Sequence, residues 1–207
     1  TQSNLGVVKQ FTPNVVKPGQ RSRLRISFYN PTALPVSSLA VLDTLPAGVS
    51  VAIGPNPATT CVGASVSSPA ASQVQVSGGT IAAASGGIAA SCYAEIDVVV
   101  SAQGDFVNTI AAGAVTAVTG GSSVSNSQAT SDTLRAKSPV VIHKAIASRT
   151  LDSGNPSGFT TGTANAAPGV PSILTIRLEN PNAVQLTSAA FTDSLPAGLV
   201  VAPTPGA

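Results

Sequence analysis

The sequence is short of nearly every residue type that does chemistry. Among 207 residues there is one histidine, two cysteines, no methionine and no tryptophan, and only 3% are aromatic and 9% charged. A structural zinc site gathers about four His, Cys or carboxylate ligands. With so few candidates, neither a metal centre nor a nucleophile–His–acid triad is expected. The eight acids form no Asp-rich calcium loop, which leaves isolated carboxylates such as Asp97 and Asp105. Ten basic residues give a net charge of +2. Lys17, Arg21, Arg23 and Arg25 lie close together, but period 2 puts the three arginines on one strand face, which reads as a solvated face. A nucleic-acid stripe would need more cations interleaved with aromatics. No apolar run reaches the roughly 18 residues of a membrane span. No glycine-rich phosphate loop stands in a strand–helix context. A chain that begins at Thr1 without a signal segment reads as a mature or trimmed exported product. No cofactor, metal, nucleic acid or membrane span is therefore expected.

What remains is 43% hydrophobic, mostly Ala and Val, with 19 glycines and 16 prolines. Good helix formers are scarce, while β-branched residues and turn formers are plentiful, so short strands joined by tight turns are expected. Alternation marks strands at Asn4–Phe11, Arg21–Tyr29, Pro35–Leu42 and Val49–Ile53. A loop over Gly54–Pro69 holds Cys61. Short strands follow at Gln73–Val76 and Thr80–Ala83, then the strongest at Cys92–Ser101. Phe106–Ala111, Val115–Val118 and Thr130–Leu134 complete a first unit, with a Gly-Gly-Ser stretch between the last two. Leu24, Ile26 and Phe28 share one face of their strand, as do Cys92, Ala94, Ile96, Val98 and Val100.

Near Ala136–Pro139 the pattern restarts. Ser22–Ala52 aligns without a gap to Ser172–Ala202, roughly half the positions being identical. Asn30-Pro31 meets Asn180-Pro181, Asp43 meets Asp193, and Leu45-Pro46-Ala47-Gly48 meets Leu195-Pro196-Ala197-Gly198. The second unit reads as strands at Val140–Ile146, Ser172–Glu179 and Val184–Asp193, with a polar excursion over Ala147–Gly169. The expected organisation is residues 1–136 as one β-sandwich and 137–207 as a second, incomplete one. That second unit is a fragment, a smaller variant, or a fold completed by a strand from another chain, since half a sandwich leaves an apolar face and an open edge.

The few inward polar residues carry the chemical interest. Lys9 shares its face with Val7 and Phe11, Asp43 with Leu39 and Val41, and Asn108 with Phe106 and Ile110. Burying a charge without a partner costs several kcal/mol, so these groups need one another. One reading is an intramolecular isopeptide bond. Apolar burial makes the Lys9 amine neutral, it attacks the Asn108 carboxamide, and ammonia leaves, while Asp43, held protonated by the same burial, donates to the amide oxygen and shuttles protons. Another is an unreacted Lys9–Asp43 ion pair beside Asn108. A third has Lys9 at an edge, reaching water. Lys144, between Ile142 and Ile146, and Asp193, after Phe191, repeat two of the three members. His143 alternates away from Lys144 and reads as a surface residue. Cys61 and Cys92 read as a disulfide suited to an exported protein, the alternative being two buried thiols. No Asn-x-Ser/Thr acceptor with a non-proline middle residue is present.

The set Phe11-Thr12-Pro13, Pro18-Gly19, Asn30-Pro31, Asp43-Thr44-Leu45-Pro46-Ala47-Gly48, Cys61, Cys92 and Gly104-Asp105-Phe106-Val107-Asn108-Thr109-Ile110 resembles the DUF11-like conserved repeat domain of bacterial surface proteins. The resemblance implies tandem immunoglobulin-like β-sandwiches, strung along large secreted or cell-surface proteins with a structural or adhesive role. Related surface domains carry Lys–Asn isopeptide bonds with an acidic helper, and by resemblance Lys9, Asn108 and Asp43 take those places. The expectation is an extracellular stalk or spacer module that is no enzyme beyond one autocatalytic crosslink. Its partners would be neighbouring repeats, and possible further ones are other copies by strand exchange or a host or matrix ligand. The alternatives are a carbohydrate- or host-surface-binding module, with Ala147–Gly169 as its site, and a filament subunit assembled by strand complementation.

Overall fold

The computed structural model of the chain describes residues 5–148, 168–182 and 185–204. Its contacts divide it into two units, Thr1–Ser138 and Pro139–Ala207. Among the described residues every regular element is a strand, so the class is all-β, and no helix is long and apolar enough to cross a membrane.

The first unit is a β-sandwich. Its strands are β1 (Gly6–Thr12), β2 (Val15–Val16), β3 (Arg21–Asn30), β4 (Val36–Thr44), β5 (Val49–Val51), β6 (Ala58–Thr59) and β7 (Ser65–Ser67). There follow β8 (Gln73–Ile81), β9 (Ala90–Val100), β10 (Gly104–Ile110), β11 (Thr116–Thr119), β12 (Ser122–Ser125) and β13 (Thr130–Ala136). One sheet runs β1-β3-β9-β5, with β6 also on β9; the facing sheet runs β12-β11-β4-β8-β7; a small third sheet, β10-β13-β2, closes one end. Alternation drives all of this. In β3, Leu24, Ile26 and Phe28 are buried between outward arginines, and in β9 every second residue from Cys92 to Val100 is buried. Asn30 ends β3 because its side chain serves the next turn. Its Nδ2 donates to the carbonyls of Leu34 and Ala82, and its Oδ1 accepts from the Thr32 N–H.

Three differences from the sequence reading have local causes. Gln73–Val76 and Thr80–Ala83 are one strand, β8, which passes through Gly78 at φ 82° where the register with β4 shifts. The Gly-Gly-Ser stretch is a hairpin turn, Gly120 and Gly121 both taking positive φ between β11 and β12. The loop over Gly54–Pro69 contains β6 and β7, each paired to a neighbour.

The second unit has β14 (Val141–Ser148) paired with β15 (Ser172–Glu179) as a two-stranded antiparallel sheet. The strand expected over Val184–Asp193 is not formed: residues 185–193 are irregular, and 183–184 lie outside the described residues. Its counterpart β4 is a strand because β8 and β11 flank it. No described segment of the second unit does the same. The backbone still keeps the same kink, Ser188 at φ 57° matching Ser38 at φ 53°. The Ala147–Gly169 excursion lies for the most part outside the described residues.

Candidate functional site

Lys9, Asp43 and Asn108 come from three different sheets and meet in the interior. All three residues are buried. Lys9 Nζ donates to Asp43 Oδ2 at 2.5 Å, and Asn108 Nδ2 donates to the same oxygen at 3.0 Å. Each is set inward by its strand. On β1, Lys9 follows Val7 and precedes Phe11; on β4, Asp43 lies between Val41 and Leu45; on β10, Asn108 lies between Phe106 and Ile110. In each case one neighbour belongs to or packs on one apolar cluster of the core and the other on the second cluster. The polar trio thus occupies the seam between two apolar halves.

The phase of β4 depends on a bulge. Ser38 takes a left-handed conformation, the register slips between Val36 and Leu39, and both of those residues point inward, which brings Val41 and Asp43 inward too. Asn108 is aimed by the Leu-Pro-Ala-Gly turn. Gly48, at φ 92°, leaves room for the Phe106 ring: a Cβ there would lie 2.7 Å from Phe106 Cε1. Two residues along the same face of β10 comes Asn108.

Burial lowers the Lys9 pKa from 10.5 to about 8, although the Asp43 charge, its hydrogen bond and the more distant Asp132 charge pull the other way. Desolvation wins because the Lys9 side chain is fully buried. Two oxygens of the trio, Asp43 Oδ1 and Asn108 Oδ1, are buried without a hydrogen-bond partner. A proton on Asp43 Oδ1 would make it a donor for an amide oxygen, so the carboxyl and the carboxamide have the complementary edges that acid–amide pairing uses.

Asp132 escaped the sequence reading. Its Oδ2 accepts the Phe11 N–H at 2.7 Å, and Thr130 Oγ1 accepts the Lys9 N–H at 3.3 Å, so β13 side chains bind the open edge of β1. Asp132 also stands directly across from Asn108 in the β10–β13 register. Its alternation with Leu134 was the available signal. Cys61 and Cys92 form a disulfide, which ties the β6–β7 excursion to β9. The arginine face is a ladder: Arg21 and Arg23 pair with Asp97, Arg23 and Arg25 with Glu95, and the Arg25 guanidinium lies 4.1 Å from the Tyr93 ring centre. Burial pushes the Asp97 pKa up, but hydrogen bonds from Arg23, Asn56 and Arg21 outweigh it and hold the carboxyl low. Asp105 is engaged by Lys137 at 2.7 Å. Among the described residues no three metal-ligating side chains cluster.

In the second unit Lys144 Nζ donates to Asp193 Oδ1 at 2.7 Å, with both side chains partly exposed. His143 faces Glu179 at 3.5 Å.

The sequence model described as "Domain of unknown function (DUF7933)" matches residues 6–136. The chain belongs to the DUF7933 family. This is a different family from the DUF11-like repeat that its motifs resemble, and the matched span runs from the first residue of β1 to the last of β13. No curated protein sequence matches this DUF7933 chain. Solved structures similar to it include a cohesin module from a family 33 glycoside hydrolase of Clostridium perfringens, at 8% identity and a TM-score of 0.49, covering 65% of this chain and 98% of that one. Another is the collagen-binding domain of a Staphylococcus aureus adhesin, at 13% identity and a TM-score of 0.39, covering 65% and 99%. A third is the major pilin subunit of Bacillus cereus, at 7% identity and a TM-score of 0.47, covering 84% of this chain and 53% of that one.

Proposed function

We propose that the DUF7933 unit is a load-bearing structural module of an extracellular bacterial surface protein, self-crosslinked once by an isopeptide bond between Lys9 and Asn108. The observation that carries the reading is the buried trio, with one Asp43 oxygen accepting from both reacting nitrogens. Lys9 Nζ passes a proton to Asp43 and attacks Asn108 Cγ through its lone pair. Asp43 gives that proton to Nδ2 and takes the second one from Nζ, the Cγ–Nδ2 bond breaks, and ammonia leaves. Atoms and charge balance without an outside reagent, and the trio is consumed, so there is no turnover and no enzyme. The disulfide suits an oxidising, extracellular setting. A tandem repeat with a small-residue sandwich and a solvated charge ladder suits a spacer.

Intact mass of the reduced, denatured chain tests this. The expected value is the sequence mass less one ammonia, with Lys9→Arg, Asn108→Ala and Asp43→Ala each at their full sequence masses. A wild-type chain at its full sequence mass overturns the crosslink.

A further inference from the structure

The second unit repeats the crosslinking half-site in detail but covers it differently. In the β14–β15 register Lys144 stands opposite Ile176, as Lys9 stands opposite Ile26 in β1–β3. Asp193 reaches Lys144 as Asp43 reaches Lys9, and in each aspartate the second oxygen is buried without a partner. The Leu-Pro-Ala-Gly turn recurs with Gly198 at φ 91° against Gly48 at 92°. Two things do not recur among the described residues. A Cβ at Gly198 meets nothing within 4 Å, where Gly48 meets Phe106. The inward apolar residues are also uncovered: Leu174 is 38% exposed where Leu24 is 1%, Leu178 43% where Phe28 is 0%, and Phe191 52% where Val41 is 3%.

The first unit shows what pairs with this edge and fills this turn. Strand β9 pairs along β3, and β10 brings Phe106 over the glycine turn and Asn108 to the aspartate. From this equivalence we propose that the second unit is a covalent acceptor for an extended segment of the same repeat type. Its first strand adds to the edge of β15, and its next strand seats an aromatic ring over Gly198 and presents an asparagine two residues later to Lys144 and Asp193. The bond forms between Lys144 Nζ and the incoming asparagine Cγ. Asp193 takes one proton from the Lys144 ammonium and gives it to the departing Nδ2, then takes the second from Nζ, and ammonia leaves. The open edge of β15 supplies docking, and the lysine–aspartate pair supplies selection for asparagine. The proposal rests on the Lys9–Asn108 reading of the first unit.

The probe is a polypeptide of the sequence Ala90–Ala136 carrying Cys92→Ala, diluted from urea onto the full chain, whose own Asn108 is already engaged. The expected product resists boiling in detergent and has the summed mass less one ammonia, with the linkage mapped to Lys144. A Lys144→Arg chain, or a polypeptide carrying Asn108→Ala, gives no covalent product, and the latter still binds reversibly. No covalent product from a chain that has itself lost one ammonia overturns this proposal alone. So does a product mapped to any other lysine. A chain that keeps its full sequence mass overturns both readings.

Discussion

The proposed Lys9–Asn108 reaction has a pH dependence that follows from the trio's geometry. Chain kept unfolded and unreacted in urea is diluted into folding buffer at a series of pH values, and the loss of ammonia is followed by intact mass. The reactive form has a neutral Lys9 and a proton on Asp43. It holds the same number of protons as the Lys9 ammonium–Asp43 carboxylate pair, so interconversion within the pair needs no proton from solvent. The rate is therefore flat while the pair keeps its proton. It falls once that proton is lost to solvent, because an Asp43 carboxylate has nothing to give to the leaving nitrogen. The loss occurs at about pH 8, where burial has placed the Lys9 pKa, instead of 10.5. Above that point the rate drops about tenfold per pH unit and is roughly a hundredfold below its plateau at pH 10. A lysine with an unperturbed pKa would have lost less than about half its rate there. A rate that climbs through pH 8 and stays high to pH 10 would mean that amine neutrality alone drives the attack, and it would remove Asp43 from its role as acid.

Three further outcomes are expected. In Asn108→Ala the trio cannot react and Lys9 still titrates. Its folded pKa lies below its unfolded one, so the unfolded chain holds more protons between about pH 8 and 10.5, and stability rises with pH by roughly 3 kcal/mol across that window. Urea midpoints at pH 7.5 and 10 read this, and a fall instead of a rise contradicts the depressed pKa. Reducing Cys61–Cys92, separated by 31 residues, removes about 4 kcal/mol by loop entropy, read as a lower melting temperature in an Asn108→Ala background; an unchanged value contradicts it. Gly48→Ala strains a left-handed backbone and pushes on the Phe106 ring, costing about 2–3 kcal/mol by urea titration and slowing ammonia loss by displacing β10. Wild-type crosslinking kinetics in that variant would show that the turn does not aim Asn108.

Period 2 made much of the site legible. Lys9, Asp43 and Asn108 each sit between apolar residues two positions away, and such residues share a face whatever the strand pairs with. Pairing itself was not legible. The apolar positions of Val184–Asp193 follow those of β4, yet residues 185–193 are irregular, because a strand depends on its neighbours, and β8 and β11 have no described counterpart there. Asp132 was missed for a related reason. Its task is to accept a backbone N–H across the gap between β1 and β13, a gap that exists only once three sheets have assembled. The bulge at Ser38 left no mark in the alternation downstream, so the inward phase of Asp43 could be read without knowing how it arose.

Lys9 stands on the first strand and Asn108 on the tenth, and both cysteines fall between them. With the Lys9–Asn108 bond in place, about a hundred residues drop out of the path along which tension travels, on the order of 300 Å of contour that a pulled chain never yields. The force runs from β1 straight into β10 and out through β13, its seven-residue antiparallel partner. The disulfide lies wholly inside the bypassed loop. Reducing it softens the module but adds no slack to the tether, so extensibility is insensitive to redox state while folding stability is not.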